Sequence, residues 1–225
     1  MPDKVALYIM AVINVLIISV PLIFVDIQLH DYLNNPNIWA YYLLMTIFCF
    51  MESKFSLHFN DIRHSSPENA FLPYMMGGCV LLIFWVSIYD YTNHFQSHLI
   101  QLIVGCLLIM IGLTIRLISI KKLHIFFVSH VAYVKSHQLI TTGIYSVIRH
   151  PSELGLLSIC FGVVMLLSSL TGLLMIVFAL VPLVIYRIVL EDKLLLALFS
   201  SDYEKYKAET PSLLPKLMFN GINKI

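Results

Sequence analysis

Residues 154–186 read LGLLSICFGVVMLLSSLTGLLMIVFALVPLVIY, a run of 33 residues without a charge. A helix that crosses a bilayer needs only about 20 apolar residues, so this run is too long for one span. Its middle, residues 168–172 (SSLTG), is rich in turn-forming residues and weak helix formers. The run therefore predicts two membrane helices, Leu154–Ser168 and Gly172–Tyr186, joined as a tight hairpin. Each would rise only about 22 Å, so we expect either that their polar ends extend them or that the hairpin is only partly inserted in the bilayer.

The composition of the whole chain agrees with a membrane protein. Of its 225 residues, 59% are hydrophobic and 12% are charged, and the mean hydropathy is +0.86. Soluble domains carry about 25% charged residues, so a soluble or disordered chain is excluded, and a net charge of +1 gives no reason to expect nucleic acid. The sequence predicts an all-α, polytopic integral membrane bundle of about six helical segments. The four that precede the hairpin are Val5–Val25, Leu33–Met51, Ala70–Tyr89 and Leu99–Ile115, the last continuing to Ile120.

The positive charges predict how this bundle is oriented. All 14 Lys and Arg residues lie before the first span, between the second and third, at or between the ends of the fourth and fifth, or after the sixth. The alternate connections, Asp26–Tyr32, Asp90–His98 and the turn at Ser168, contain none. Because basic residues stay on the cytoplasmic side, we expect both termini and the two basic loops there.

Charged residues also flank the predicted hairpin. Because its two helices are antiparallel, their free ends should meet at the cytoplasmic membrane boundary, where Pro151 suits the first turn of a helix. Such a group at a bilayer edge indicates a functional site; it comprises Arg149, His150, Arg187, Glu191 and Asp192. The alternatives are that both arginines anchor helix ends, and that Arg187 and Glu191 form an ordinary i, i+4 pair.

Three motifs occur in order around this hairpin. They are H-x-L-x-x-x-G-x-Y-x-x-x-R-H-P-x-x-x-G from His137 to Gly155, R-x-x-x-E-D from Arg187 to Asp192, and F-x-x-x-Y-x-x-Y from Phe199 to Tyr206. In these motifs the chain resembles the isoprenylcysteine carboxyl methyltransferase family, in a wider group that includes phospholipid methyltransferases. The resemblance extends from about Arg116 to Pro215. It implies two parts: N-terminal transmembrane spans (1–115) and a methyltransferase core (116–225) with a cofactor loop, the hairpin and an interfacial C-terminal helix.

The resemblance implies roles for individual residues. The cofactor would be S-adenosylmethionine, and the partner a lipophilic methyl acceptor that enters from the bilayer among membrane lipids. Arg187 matches an arginine that faces the acceptor, and Glu191 an acidic residue at the reaction centre that also holds the cofactor. The other positions that match cofactor-binding residues are His137, Leu139, Ile140, Tyr145, Arg149, His150, Pro151, Ser152 and Glu153.

This chain departs from the family pattern at three positions. Glu153 stands where the family usually has Tyr, Asp192 where it has a second Glu, and Ser200 where Gly is common. Glu153 is the largest departure, because it adds a full negative charge to a core motif. The leucine-rich segment after Asp192, followed by Tyr203 and Tyr206 among Lys and Glu residues, predicts a helix that lies on the membrane interface and could cover the site.

These residue types suit methyl transfer. A sulfonium donor needs alignment with its acceptor more than proton transfer. Arg187 could bind a carboxylate acceptor bidentately, and a carboxylate needs no base at pH 7. The first expectation is therefore O-methylation of a prenylcysteine-type carboxylate. A lipid amine, which would need a base such as His150 or Glu191, and a small thiol stay open as acceptors.

A non-enzymatic reading also stays open. A membrane transporter or a structural helical bundle would use the same cytoplasmic charges only as anchors. A metal site is not expected: His94 and His98 are four residues apart, but no third ligand accompanies them, so they are interpreted as solvated loop residues.

Overall fold

The computed structural model describes residues 9, 12–16, 34–56, 64–65, 71–94, 98–123, 132–133 and 138–215. These residues are mostly helical. The helices are α1 (Pro36–Ser56), α2 (Leu72–His94), α3 (Leu99–Leu123), α4 (Pro151–Leu166), α5 (Leu170–Met175) and α6 (Val181–Glu209), with a 3-10 turn at Gly143–Ser146 and a π-helix at Ile176–Leu180. Of the predicted first span, Val5–Val25, only residues 9 and 12–16 lie within the described residues, and they are helical.

Within the described residues, three helices are long and apolar enough to cross a membrane. They are Leu72–Asn93, Leu99–Leu123 and the continuous stretch Leu170–Glu209, and Pro151–Leu166 is a shorter apolar helix. The predicted third and fourth spans correspond to α2 and α3, and their ends differ from those of the helices by only a few residues. These helices fit an integral membrane protein.

Four glycines bring α3 and α4 into close contact. A Cβ atom added to Gly105 would lie 2.7 Å from the Cβ of Leu166, and one added to Gly112 would lie 2.6 Å from the carbonyl oxygen of Gly155. A Cβ atom added to Gly162 would in turn meet the backbone of Gly105, so the two helices pack antiparallel. On each helix the two facing glycines are seven residues apart. Small residues allow this approach within a membrane. The main packing partner of α4 is therefore the preceding helix, whereas α5 packs chiefly against α2.

Polar contacts collect at two opposite ends of this bundle. At one end, the Ser169 hydroxyl donates to Asp90 (2.7 Å) and the Ser168 hydroxyl to Gln101 (2.6 Å). At the other end Arg116 pairs with Glu52 and Arg187 with Glu153. A two-residue antiparallel bridge, His64–Ser65 with Ala132–Tyr133, joins the two connections that were predicted to be cytoplasmic.

The last helix differs from the prediction. The expected sixth segment ends at Tyr186, but α6 continues to Glu209 with only a kink at Ser200. The predicted span ends at Tyr186 because that is the last uncharged residue of the run. Of the charged side chains that follow, Arg187, Glu191 and Asp192 have partners at the start of α4, so the helix continues past them to the non-helical backbone at Ser200. The expected separate interfacial helix after Asp192 is therefore the second half of α6.

Candidate active site

The segment that leads into α4 is held by the chain that follows α6. The backbone amides of Arg149 and His150 donate to the carbonyl oxygens of Pro211 (2.9 Å) and Ser212 (3.0 Å). The Arg149 Nε also donates to the carbonyl oxygen of Thr210 at 3.0 Å. His150 is the N-cap of α4, and Pro151 occupies its first turn as expected.

Asp192 is the centre of a buried ionic cluster. Both of its carboxylate oxygens lie 2.8 Å from Nη1 of Arg149, and one oxygen lies 3.0 Å from Nε2 of His150. The Tyr203 hydroxyl donates to the same carboxylate, and Nζ of Lys207 lies 3.5 Å away. These partners use most of the hydrogen-bonding capacity of Asp192, so it joins the start of α4 to the second half of α6.

The acidic neighbours of His150 favour its protonated form. Burial alone would lower the pKa of His150, but hydrogen bonds and charge interactions with Asp192 and Glu191 outweigh it and raise the pKa to about 9. A protonated imidazole has no lone pair with which to accept a proton. His150 is thus a poor general base, although the sequence left that role open for it.

Glu191 is the outward-facing member of the acidic pair. Its side chain is 37% exposed, and one carboxylate oxygen lies 3.6 Å from Nδ1 of His150. By contrast, the Asp192 side chain is only 10% exposed. Glu191 is thus the more exposed carboxylate of the pair.

Arg187 belongs to a second ionic group. The Arg187 Nε lies 3.2 Å from a carboxylate oxygen of Glu153, and the pair is an ion contact without the alignment of a hydrogen bond. Beside it, Nη2 of Arg116 donates to Glu52 at 3.0 Å and Nη1 to the Ser152 hydroxyl at 2.9 Å. The five residues that were expected to converge therefore fall into two groups, because the partner of Arg187 is Glu153 rather than Glu191.

The second group closes one side of a cavity of about 340 Å³. Its charged wall consists of Glu52, Arg116, Glu153 and Arg187. The remaining wall is mostly apolar, with contributions from Phe48, Cys49, Met76, Val80, Phe84 and Leu156. Charged groups at the edge of an apolar cavity can orient the polar head of a lipophilic molecule while the apolar wall holds its chain.

Comparisons with known proteins match part of the chain. Residues 100–202 match the family model described as phospholipid methyltransferase. A 109-residue stretch is 37% identical to a protein-S-isoprenylcysteine O-methyltransferase of Saccharomyces cerevisiae, covering 47% of this chain and 45% of the relative. An 81-residue stretch is 36% identical to the protein of that name in Schizosaccharomyces pombe, covering 36% of this chain and 34% of the relative.

The matched stretches are similar to phospholipid methyltransferases and to protein-S-isoprenylcysteine O-methyltransferases. This confirms the resemblance for that part of the chain. The chain spans less than half the length of the curated relatives it matches.

The residues that the family resemblance assigns to the cofactor are spread along the entrance to α4. His137 lies outside the described residues, and Leu139 and Ile140 are half-buried just before the 3-10 turn. Tyr145 is buried, and burial together with nearby Glu191 raises the pKa of its hydroxyl. The Tyr145 carbonyl oxygen accepts a hydrogen bond from Tyr206 (2.6 Å). Their roles toward a cofactor stay predictions.

Two further site residues were not found from the sequence. Glu52 and Arg116 line the cavity, but they are 64 residues apart in the chain and belong to no shared motif. A signal was present, because an ionisable residue directly beside an apolar span is a candidate functional residue. Glu52 follows the predicted second span, and Arg116 interrupts the fourth.

Proposed function

We propose that this protein is an integral-membrane methyltransferase that moves a methyl group from S-adenosylmethionine to a lipophilic acceptor. The observation that carries the proposal is the pair of ionic groups on α6, one turn apart. Glu191 is accessible beside the family motifs, while Arg187 lines the apolar cavity. Residues i and i+4 share a helix face, so donor and acceptor would approach each other along this turn.

The donor would be held on the Glu191 side. The fit is chemical: S-adenosylmethionine presents amino and hydroxyl donors, and Glu191 offers a partly exposed carboxylate. Further residues would surround the bound donor: His137, Leu139, Ile140 and Tyr145 of the loop, and Pro151 and Ser152. Arg149 and His150 would act indirectly, because both are hydrogen-bonded to Asp192 and so hold the loop before α4 in place. When bound, the cofactor supplies an electrophilic methyl group, and this chain supplies alignment.

The first acceptor to consider is a prenylcysteine-type carboxylate. Both curated relatives are named for O-methylation of isoprenylcysteine. Arg187 is the residue that would bind the carboxylate and turn one oxygen toward the methyl group. The mostly apolar cavity wall would hold the start of the prenyl chain and exclude water.

The second candidate acceptor is a lipid amine. One observation favours it: Arg187 is already in contact with Glu153, the residue that replaces the family tyrosine. A carboxylate acceptor would have to compete with Glu153 for the guanidinium group.

The remaining predictions about placement form part of this proposal. The methyltransferase core is residues 116–225, preceded by the transmembrane spans of residues 1–115, with the active site and both termini on the cytoplasmic side. Glu52 lies on α1 yet lines the cavity, so the N-terminal part contributes to the acceptor site as well as to anchoring.

Binding of S-adenosylmethionine to the purified protein in detergent tests the proposal. We expect saturable binding that Glu191→Gln weakens at least tenfold and that Glu204→Gln, an exposed residue on the same helix, leaves unchanged. Arg187→Ala should reduce methyl transfer with little effect on donor binding. Absence of saturable binding would overturn the enzyme reading in favour of a transporter or structural bundle.

A further inference from the structure

Arg116 joins three helices at one point of the bundle. It lies on α3, and its Nε and Nη2 atoms both donate to the carboxylate of Glu52 on α1. Its Nη1 atom donates to the hydroxyl oxygen of Ser152 at 2.9 Å and to the carbonyl oxygen of the same residue at 3.2 Å, in the first turn of α4. Four of the five N–H groups of this guanidinium thus have partners, and the side chain is only 11% exposed.

The last glycine of the R-H-P-x-x-x-G motif allows α4 to approach Arg116 this closely. A Cβ atom added to Gly155 would lie 3.0 Å from both the Cβ atom and the backbone nitrogen of Arg116, and 2.8 Å from the carbonyl oxygen of Gly112. The first turns of α4 therefore rest directly on α3 at this point. An arginine that only anchors a helix end would extend its head group to water. The head group of Arg116 is instead bonded to the two neighbouring helices.

The turn that Arg116 holds lies between the two ionic groups of the candidate site. Ser152 follows His150, whose Nδ1 atom lies 3.6 Å from the carboxylate of Glu191 on the proposed donor side. Ser152 also precedes Glu153, which belongs to the charged wall of the cavity. A displacement of this turn would change the geometry on both sides at once. Because methyl transfer depends on alignment, holding the turn in place matters for the reaction.

From this arrangement we propose that Arg116 is a positioning residue for the donor site and that Glu52 orients its guanidinium group. The inference rests on the proposed function, since it takes S-adenosylmethionine as the donor. Arg116 acts through Ser152 and the loop that leads into α4. A lysine could not replace it, because a single ammonium group lacks the planar fork that reaches a carboxylate and a main-chain carbonyl together. Glu52, on a helix outside the family motifs, would thus influence donor affinity.

Binding of S-adenosylmethionine to the purified full chain in detergent, measured by calorimetry, tests the inference. We expect Arg116→Lys to raise the donor Kd by about tenfold or more, the loss typical of a hydrogen bond to a charged group. Ser152→Ala removes one of the two bonds to Ser152, and Glu52→Gln removes the charge that orients Arg116. Each should raise the donor Kd by about threefold or more. Lys121→Gln, an exposed residue on the same helix, should leave the Kd unchanged.

Asn37→Ala is the control for a loss of packing alone. Asn37 is buried on α1, and its Nδ2 atom donates to the carbonyl oxygen of Leu166 (2.8 Å) at the other end of α4. The change loosens the contact between α1 and α4 far from Ser152. It should lower the thermal unfolding midpoint but leave the donor Kd within about twofold of the wild-type value, because distant sites act independently.

A double-mutant cycle tests whether Glu52 acts through Arg116. If it does, Glu52→Gln should change the donor Kd by less than about twofold in the Arg116→Lys background. Equal effects in both backgrounds, a wild-type Kd in Arg116→Lys, or the same rise in Asn37→Ala would overturn the inference. Should Arg116→Lys not fold, wild-type Kd values in both Glu52→Gln and Ser152→Ala would also overturn it. If the wild type shows no saturable donor binding, the proposed function itself fails.

Discussion

Replacing Gly77 with leucine should block the acceptor cavity without disturbing the fold. Gly77 lines the cavity on α2, and a Cβ atom added there would meet nothing within 4 Å. Its neighbour Gly78 also has open space within 4 Å but is not part of the cavity wall. Gly78→Leu is therefore a matched control that makes the same chemical change one residue away. Both changes remove a helix-interior glycine, which favours the helix by up to about 1 kcal/mol.

The expected size of the effect follows from the cavity volume. A leucine side chain has four carbons, each with a volume of about 30 Å³ by comparison with water. It would take up roughly a third of the 340 Å³ cavity. An acceptor that loses four buried carbon positions, at about 0.8 kcal/mol each, loses about 3 kcal/mol of binding. This corresponds to roughly a hundredfold fall in kcat/KM, mainly through KM.

Methyl-transfer kinetics with the preferred acceptor measure this effect, and thermal unfolding in detergent checks the fold. We expect Gly77→Leu to lose most of its kcat/KM, while Gly78→Leu and donor binding to both variants stay near wild type. Equal kinetics for the two variants would mean that the acceptor does not occupy this cavity.

Two predictions concern stability. Asp192 and Glu191 raise the pKa of His150 from 6.5 to about 9. Protonated His150 therefore stabilises the folded protein below pH 6.5, and this stabilisation is lost as the pH rises through 9. Its contribution to the free energy of unfolding is on the order of 3 kcal/mol. The unfolding midpoint in detergent should fall between pH 6.5 and 9.5 in the wild type and less in His150→Gln, and equal slopes would contradict this reading. Ser200 has φ +43°, a region that favours glycine. Ser200→Gly should therefore raise the unfolding midpoint by about 2–4 °C per kcal/mol of strain removed. The control Ser201→Gly should lower it. A lower midpoint for Ser200→Gly would show that the kink carries no strain.

The helical architecture was largely predictable because uncharged runs and turn residues are local signals. The turn near Ser168 and the extent of α3 through Arg116 both follow from them. The end of the last helix did not, since a charged residue ends an apolar run but does not end a helix. Arg187 and Asp192 continue the helix because their partners come from the start of α4.

The candidate site was predictable only in part. The motifs identified the residues around His150 and Glu191, because family patterns are local in sequence. They did not identify which charge pairs with which. The contact of Arg187 with Glu153 and that of Arg116 with Glu52 depend on packing between helices that are distant in sequence. The glycines set α3 against α4, but Glu52 comes from α1 and Arg187 from α6, and no charge pattern in the sequence reveals these pairings.

We propose that this chain transfers a methyl group to a lipophilic molecule. Purified protein, incubated with S-adenosylmethionine labelled in its methyl group and a mixture of prenylated acceptors, tests the claim directly when the label in the organic extract is counted. We expect time-dependent label in the extract with wild-type protein and background label with Glu191→Gln. Background label with the wild type, despite folded protein and acceptors covering acids, amines and thiols, would contradict it.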